Sequence, residues 1–216
     1  MTEPLNELEG QQAGEARAMG QLGRRHARGE GVAKDFAKAH DLLAQAAALG
    51  DAEAMFQIGV LHRGGHGTAQ SDAEAVAWYR KAAQAGYVPA MLQLAAVYTL
   101  GRLVPVDHIE AMLWLDRAAK LQDTHAMVLL GLKLHSGRDV PKDEAAAVRW
   151  FAKAAELGST AGMFELAMAY DTGVGIEQDE ALAEQWLRKA AGLGDVSAVR
   201  VLGEREQARL GLKPPG

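Results

Sequence analysis

Apolar residues recur along the chain with a period of 36 residues. The clearest members of the pattern are all the tryptophans of the protein, Trp78, Trp114, Trp150 and Trp186. Each is followed by an aromatic residue or leucine and then by a pair of alanines, as in WYRKAA at 78–83, and Leu42 takes the tryptophan position in the first copy. A fixed period of this length indicates tandem copies of one structural unit.

Two further rows keep the same period. A methionine recurs at Met19, Met55, Met91, Met127 and Met163. A small residue recurs four positions later, at Gly23, Gly59, Ala95, Gly131, Ala167 and Gly203. The methionines are predicted to lie in the core, where their flexible side chains fill gaps. The small residues are predicted where two helices cross, because glycine and alanine let backbones approach closely.

Each unit is predicted to contain two helices. The first carries apolar residues at helical spacing, as at 52–62, and ends at one of the recurring glycines Gly29, Gly65, Gly101, Gly137 and Gly173. The second begins after a residue suited to N-capping, in the row Asp35, Ser71, Asp107, Asp143 and Asp179. Glu74 and Glu110 lie three residues after such caps, which predicts two reciprocal capping boxes.

The second helix is predicted to bury its tryptophan and its paired alanines. It is expected to end at a left-handed glycine, in the row Gly50, Gly86, Gly158 and Gly194, whereas the third unit has Gln122 there. Arg80, Lys81, Arg188 and Lys189 are predicted to lie on solvated outer faces.

These elements predict an all-α protein, a right-handed superhelical α-solenoid of five 36-residue helix-turn-helix repeats. The predicted repeats are 15–50, 51–86, 87–122, 123–158 and 159–194, followed by a C-terminal capping helix at 195–211. Residues 1–14 are predicted to form a short N-terminal cap or a disordered segment. The tail at 212–216 is predicted to be irregular, because Pro214 and Pro215 cannot continue a helix.

The unit resembles the Sel-one-like repeat (SLR) family, a relative of the tetratricopeptide repeats. The fifth unit carries the family pattern at Leu166, Tyr170, Gly173, Gly175, Asp179, Trp186, Lys189 and Ala190. The period is longer than the tetratricopeptide repeat of about 34 residues. Leu103 and Asp139 depart from the pattern, since they replace the second glycine of the turn between the helices. The resemblance implies adaptor work in signalling or assembly without naming a partner.

Composition narrows the functional classes. The net charge of −5 argues against a nucleic-acid binder, which usually has a basic domain. The absence of cysteine excludes disulfides and thiolate metal sites. The first residues do not resemble a secretory signal, and no apolar run reaches the roughly 20 residues that span a bilayer. A cytoplasmic protein is therefore expected.

Two rows of first-helix positions are candidates for binding a partner. If the repeats stack as tetratricopeptide repeats do, these positions line the concave face. The candidate residues are Arg24, Phe56, Val60, Arg63, Leu92, Ala96, Val128, Leu132, Phe164 and Met168. One interpretation is an exposed hydrophobic groove for a peptide or helix, with arginines at one end for acidic side chains. The other is that neighbouring helices cover these positions, and the pattern leaves both open.

Candidate catalytic and metal-binding motifs are weak. His62 and His66 are four residues apart, but Gly64 and Gly65 interrupt the helix between them and no third ligand can be named. His108, His125 and His135 occupy non-equivalent repeat positions and are predicted to be surface or packing residues. The glycine-rich turns lack the Gly-Lys-Ser/Thr ending of a phosphate-binding loop. No catalytic residue, metal or cofactor is predicted.

The leading hypothesis is a monomeric adaptor or scaffold that binds a peptide or protein segment on its concave face. A self-associating structural module is the first alternative. A hydrolase or metal-dependent enzyme is the second.

Overall fold

A computed structural model describes residues 3–211, with side chains from residue 10 onward, and this range contains helices and turns without a strand. Its helices are α1 (Glu3–Arg28), α2 (Phe36–Ala48), α3 (Ala52–Gly64), α4 (Asp72–Gln84), α5 (Val88–Leu100), α6 (His108–Lys120), α7 (Thr124–Ser136), α8 (Glu144–Glu156), α9 (Thr160–Thr172), α10 (Glu180–Gly192) and α11 (Val196–Arg209). None of these helices is long and apolar enough to cross a membrane. The predicted all-α fold of tandem helix pairs is confirmed.

The chain divides into two compact units, one ending at Trp114 and the other beginning at Leu115, inside α6. In the first unit α1 pairs with α2 and α3 pairs with α4, and successive pairs stack through α2 against α3 and α4 against α5. In the second unit α7 pairs with α8 and α9 with α10, and α11 packs against α10. The predicted N-terminal segment is, from Glu3 onward, the first half of α1, while the predicted tail at 212–216 lies outside the described residues.

The predicted N-caps of the second helices are confirmed. In each repeat the cap side chain accepts a hydrogen bond from the backbone N–H three residues later, at distances of 2.8–3.2 Å. The caps are Asp35, Ser71, Asp107, Asp143 and Asp179. The first helices have caps that the sequence patterns did not single out. Asp51, Asp123, Ser159 and Asp195 cap α3, α7, α9 and α11 in the same way.

The predicted capping boxes are wrong in one of their two hydrogen bonds, the one from the backbone N–H of the cap residue to the glutamate. The backbone N–H of Ser71 donates to the carbonyl of His62 at 3.0 Å, and that of Asp107 donates to Tyr98 at 3.0 Å. Glu74 and Glu110 are therefore not the acceptors for these two groups. In the other repeats the backbone N–H of the cap residue donates to the equivalent carbonyl of the preceding first helix. This hydrogen bond therefore joins the two helices of every repeat.

The helices end at the predicted glycines. Gly65, Gly101, Gly137 and Gly173 are left-handed C-caps of the first helices. Gly50, Gly86, Gly158 and Gly194 have φ between 87° and 91° one residue after the second-helix caps. Gln122 occupies this position in the third repeat with φ 64°, and it is the single non-glycine residue with positive φ in the described range.

Gln122→Gly is expected to raise the free energy of unfolding by about 0.5–1 kcal/mol, because glycine adopts the left-handed region without the Cβ penalty. Thermal and urea denaturation followed by circular dichroism would measure the change. Gly86→Gln is the reciprocal variant, since a Cβ there would meet no atom within 4 Å, and it should be destabilising. Equal stability of the three proteins would contradict the backbone explanation.

A large core residue of each second helix follows the tryptophan position. Leu43, Tyr79, Leu115, Phe151 and Leu187 are each at most 3% exposed. In three repeats a first-helix glycine lies directly against this residue, and in the first of them a Cβ on Gly23 would lie 2.8 Å from Leu43 Cγ. A Cβ on Gly59 would lie 2.7 Å from the Tyr79 ring, and one on Gly131 would lie 2.3 Å from the Phe151 ring. The predicted close helix crossing is confirmed at all three places.

The prediction that the second helix buries its tryptophan is wrong in three repeats. Trp114 is buried, whereas Trp78, Trp150 and Trp186 are half-buried at the flank of the helix. The lysine three residues later covers each of these three rings, with Nζ 3.9–4.7 Å from the ring centroid. An indole tolerates this position because its face attracts a cation while its edge packs on the core.

The methionine row lies in or against the core. Met91, Met127 and Met163 are at most 4% exposed. Met19 and Met55 are partly buried against the apolar cluster of α2 and α3. The core prediction therefore holds fully for three of the five and in part for the first two.

Candidate binding clefts

The structure places the predicted partner-binding residues at different depths. In the first unit Ala96 and Arg63 are exposed, and Arg24, Phe56, Val60 and Leu92 are half-buried. In the second unit Leu132 is exposed, Phe164 and Met168 are half-buried, and Val128 is buried. The two rows are thus neither an open groove throughout nor wholly covered.

Several of the predicted residues are held by packing or pairing within the chain. The Phe56 ring lies between Tyr79 and Tyr87, with centroid distances of 5.3 and 5.5 Å. Phe164 packs against the core cluster of the second unit. Arg24 is ion-paired with Glu53 at 3.1 Å, and only 15% of its side chain is exposed. These residues shape the surface and offer a partner little free contact area.

An open cleft of about 280 Å³ lies at the C-terminal ends of α3 and α5 in the first unit. Its floor is apolar, and two guanidinium groups and one amide stand at its edge; the lining residues are Arg63, Gln93, Ala96, Val97, Leu100, Arg102 and Leu103. Arg63 and Arg102 are exposed, and neither has a hydrogen bond or ion pair with any residue that the structure describes. Both arginines are therefore available to a ligand.

A cleft of about 200 Å³ lies between α7, α8 and α9 in the second unit. Its lining residues are His135, Glu144, Ala147, Val148, Phe151, Glu165, Met168, Ala169, Thr172 and Val174. The floor is formed by nearly buried apolar side chains, including Val148, Phe151 and Ala169. Ionisable groups surround an apolar cavity here, as in the first unit.

The two clefts share equivalent positions on the first helices and the turns that follow them, while α8 also lines the second-unit cleft. Each first-unit lining residue from Arg63 to Arg102 has its counterpart two repeats later in the second-unit cleft, the pairs being Arg63 with His135, Gln93 with Glu165, Ala96 with Met168, Val97 with Ala169, Leu100 with Thr172 and Arg102 with Val174. The predicted residues Arg63, Ala96 and Met168 belong to these clefts. The sequence patterns did not single out the other pairs, although alignment of the repeats shows that these side chains differ from copy to copy.

Charges in the second-unit cleft are unevenly paired. His135 Nδ1 lies 2.8 Å from Glu144 Oε2, and Lys142 Nζ lies 2.5 Å from Glu144 Oε1. The hydrogen bond from Lys142, with a further contribution from His135, holds the pKa of Glu144 below its ordinary value. Glu165 differs, because burial raises its pKa, His135 opposes that shift and Asp195 reinforces it.

The histidines considered as metal ligands have other contacts. The His66 ring stacks on Phe36 with centroids 4.6 Å apart, and His62 meets His40 edge-on at 5.9 Å. Within residues 10–211 no three histidine, aspartate or glutamate side chains are grouped as a metal site would require. His135, predicted to be a surface or packing residue, is exposed at the edge of the second-unit cleft.

Five consecutive stretches of the chain match the sequence model of the Sel1 repeat, at residues 16–51, 52–87, 88–123, 124–159 and 160–195. The chain belongs to the Sel1 repeat family. Sel1 repeat proteins are generally protein-interaction modules. No curated protein shows significant similarity to this Sel1 repeat protein.

Solved structures resemble this Sel1 repeat protein over most of its length. The protective antigen c5321 of uropathogenic Escherichia coli strains, which displays an SLR fold, is 29% identical with a TM-score of 0.79, over 94% of this chain and 43% of the antigen. A Sel1 repeat protein from Oxalobacter formigenes is 32% identical with a TM-score of 0.75, over 92% of this chain and 82% of its own. The immunity protein Pa5087 from Pseudomonas aeruginosa, 19% identical with a TM-score of 0.51 over 82% and 68% of the two chains, shares the fold.

Proposed function

We propose that this Sel1 repeat protein is an adaptor that binds a segment of a partner protein in the clefts between successive first helices of each unit. The observation that carries the proposal is the recurrence of one cleft, with an apolar floor and ionisable edges, at equivalent positions of both units. An apolar centre with a polar edge is the usual anatomy of a protein interface.

The size of the clefts favours protein side chains over a small-molecule ligand. Their volumes of about 200 and 280 Å³ fall below the roughly 300–1,000 Å³ that is typical of small-molecule sites. Such a cavity accommodates one anchoring side chain of a partner segment. Anchors that fill a desolvated pocket contribute most of the binding energy in protein interfaces.

The exposed apolar residues support a partner that extends beyond the clefts. Leu132 is exposed on α7 and lines neither cleft, whereas Ala96 and Met168 are the apolar residues at the cleft openings. A bound segment would remove these side chains from water, which stabilises a complex by about 25 cal/mol per Å² of apolar surface.

Peptides selected from a random displayed library against the folded protein are expected to lose binding when the clefts are changed. Ala96→Asp and Met168→Asp should each weaken the dissociation constant of peptides that use that cleft by about tenfold or more, because each change places a charge on an apolar contact surface. Fluorescence polarisation with labelled peptides would measure the effect.

Leu157→Asp is the matched control, because Leu157 is 47% exposed and lies at the C-terminal end of α8, outside both clefts. It makes the same change in charge on the surface of the same protein. Selected peptides that bind the two cleft variants as tightly as the wild type, while the variants keep their helical circular dichroism, would show that the clefts are not the binding surface.

A further inference from the structure

The two equivalent clefts differ mainly in their charged residues. The first-unit cleft has Arg63 and Arg102 with the neutral Gln93 between them in sequence. The second-unit cleft has Glu165 at the glutamine position and Val174 in place of the second arginine. Resting on the proposed function, we infer that the first-unit cleft selects a carboxylate side chain and the second-unit cleft selects a cationic one.

The first-unit cleft has the chemistry of a carboxylate site. Both of its guanidinium groups lack an ion pair within the described residues, and both adjoin an apolar floor that includes Leu100 and Leu103. Arginine presents a planar set of donors that matches a carboxylate in a bidentate geometry. An aspartate or glutamate side chain would place its methylene groups on the floor and its carboxylate between the arginines.

Glu165 gives the second-unit cleft the opposite character. It is half-buried and has no hydrogen bond or ion pair with any described residue. A carboxylate that is partly removed from water without a partner carries a desolvation cost, and a bound cation would offset that cost. Lysine and arginine side chains suit such a site, because their methylene stems pack on apolar surface while the charged head reaches the carboxylate.

The cations at the edge of the second-unit cleft form no ion pair with Glu165. Lys142 and His135 both bond to Glu144, at 2.5 and 2.8 Å, and His135 acts on Glu165 through its charge without an ion pair. Asp195, the N-cap of α11, adds a third acidic group whose field acts on Glu165. The second-unit cleft therefore holds two carboxylates, Glu144 and Glu165, of which only Glu144 has an ion pair, and Glu165 is left for a further cation.

Amphiphilic probes with the same hexyl chain would test this difference in selectivity. Hexanoate, hexylammonium and neutral hexanol are titrated separately into ¹⁵N-labelled full-length protein at neutral pH, and the backbone amide shifts are followed by NMR. Hexanoate is expected to shift the amides of Ala96, Val97 and Leu100, and hexylammonium those of Met168, Ala169 and Thr172. Hexanol should affect both sets more weakly than the matching ion.

Two substitutions separate charge recognition from folding. Glu165→Gln copies the residue at position 93 and should weaken hexylammonium binding in the second unit by about tenfold, the worth of one charge-assisted hydrogen bond. Glu156→Gln makes the same charge change at an exposed position of α8 and should leave binding unaltered. Arg102→Val, which copies Val174, should weaken hexanoate binding in the first unit, with Arg149→Val on exposed α8 surface as its control.

Three other outcomes of these titrations would contradict the inference. If all three probes shift both sets of amides equally, the clefts bind apolar groups without charge preference, and the proposed function stands while this inference fails. If the ions bind but Glu165→Gln and Glu156→Gln have the same effect, Glu165 is not the recognising group. If no probe binds either cleft, the inference fails, and the peptide selection decides independently on the proposed function.

Discussion

Replacing Gly131 with alanine is expected to lower the free energy of unfolding of the second unit by about 3 kcal/mol, the upper range for overpacking a core. The added Cβ would lie 2.3 Å from the Phe151 ring, which is 3% exposed and lines the second-unit cleft, so the ring or its helix would have to shift. Intrinsic helix propensity predicts the opposite sign, since alanine in a helix is favoured over glycine by about 1 kcal/mol. Thermal denaturation therefore distinguishes a packing constraint from a backbone preference.

A second substitution should rescue this variant. The fifth repeat has Ala167 and Leu187 at the positions that hold Gly131 and Phe151 in the fourth, and both are buried. Phe151→Leu in the Gly131→Ala background recreates that pair, so the double variant should be more stable than Gly131→Ala alone. Gly192→Ala, with no atom within 4 Å of its added Cβ, is the control and should not destabilise the protein. A fully additive double-mutant cycle would contradict direct contact.

Replacing Gly175 with alanine is expected to destabilise the second unit by about 3 kcal/mol, from two causes that add. Gly175 has φ 75°, and a Cβ there would lie 2.5 Å from the carbonyl oxygen of Glu144. Because that carbonyl belongs to the first residue of α8, the turn after α9 is seated on the preceding repeat's second helix. Glu144 also lines the second-unit cleft, so peptides that bind this cleft should bind the variant more weakly.

Gly194→Ala isolates the backbone contribution. Gly194 has φ 90° with no atom within 4 Å of an added Cβ, so only the left-handed conformation opposes alanine there. Its expected cost is about 1 kcal/mol. Urea denaturation of both variants measures the difference, and equal losses would show that the contact with Glu144 contributes nothing. Gly67 makes the equivalent contact with the Phe36 carbonyl in the first unit, so the same comparison can be repeated there.

The helix ends were predictable from sequence because they depend on short-range chemistry. An aspartate or serine side chain reaches a backbone N–H three residues later, and a glycine adopts positive φ, whatever surrounds them. Where a distant group competed, the prediction failed. The N–H of Ser71 donates to the His62 carbonyl of the preceding helix, so Glu74 does not complete the capping box.

The half-buried tryptophans show a second limit of the repeat pattern. A large residue that recurs at one repeat position indicates that this position matters to the fold. Large residues recur at two adjacent positions here, those of Trp150 and Phe151, so the pattern does not show which of them is central. Phe151 faces Gly131 of the paired helix, whereas Trp150 lies at the flank beneath Lys153. Which of two neighbouring residues is central depends on the orientation of the helix against its partner, and only packing sets that orientation.

The clefts depend both on local sequence preferences and on tertiary packing. The sequence by itself determined the 36-residue period, the all-α fold of paired helices and the positions of most caps and turns, because these follow from local preferences repeated in every copy. The tertiary structure decided that Phe56 and Val128 are packed while Ala96 and Leu132 stay exposed. It also brought His135 and Glu165, from successive first helices, to one cleft. Exposure and pairing of charges depend on residues from neighbouring repeats, and no local pattern contains that relation.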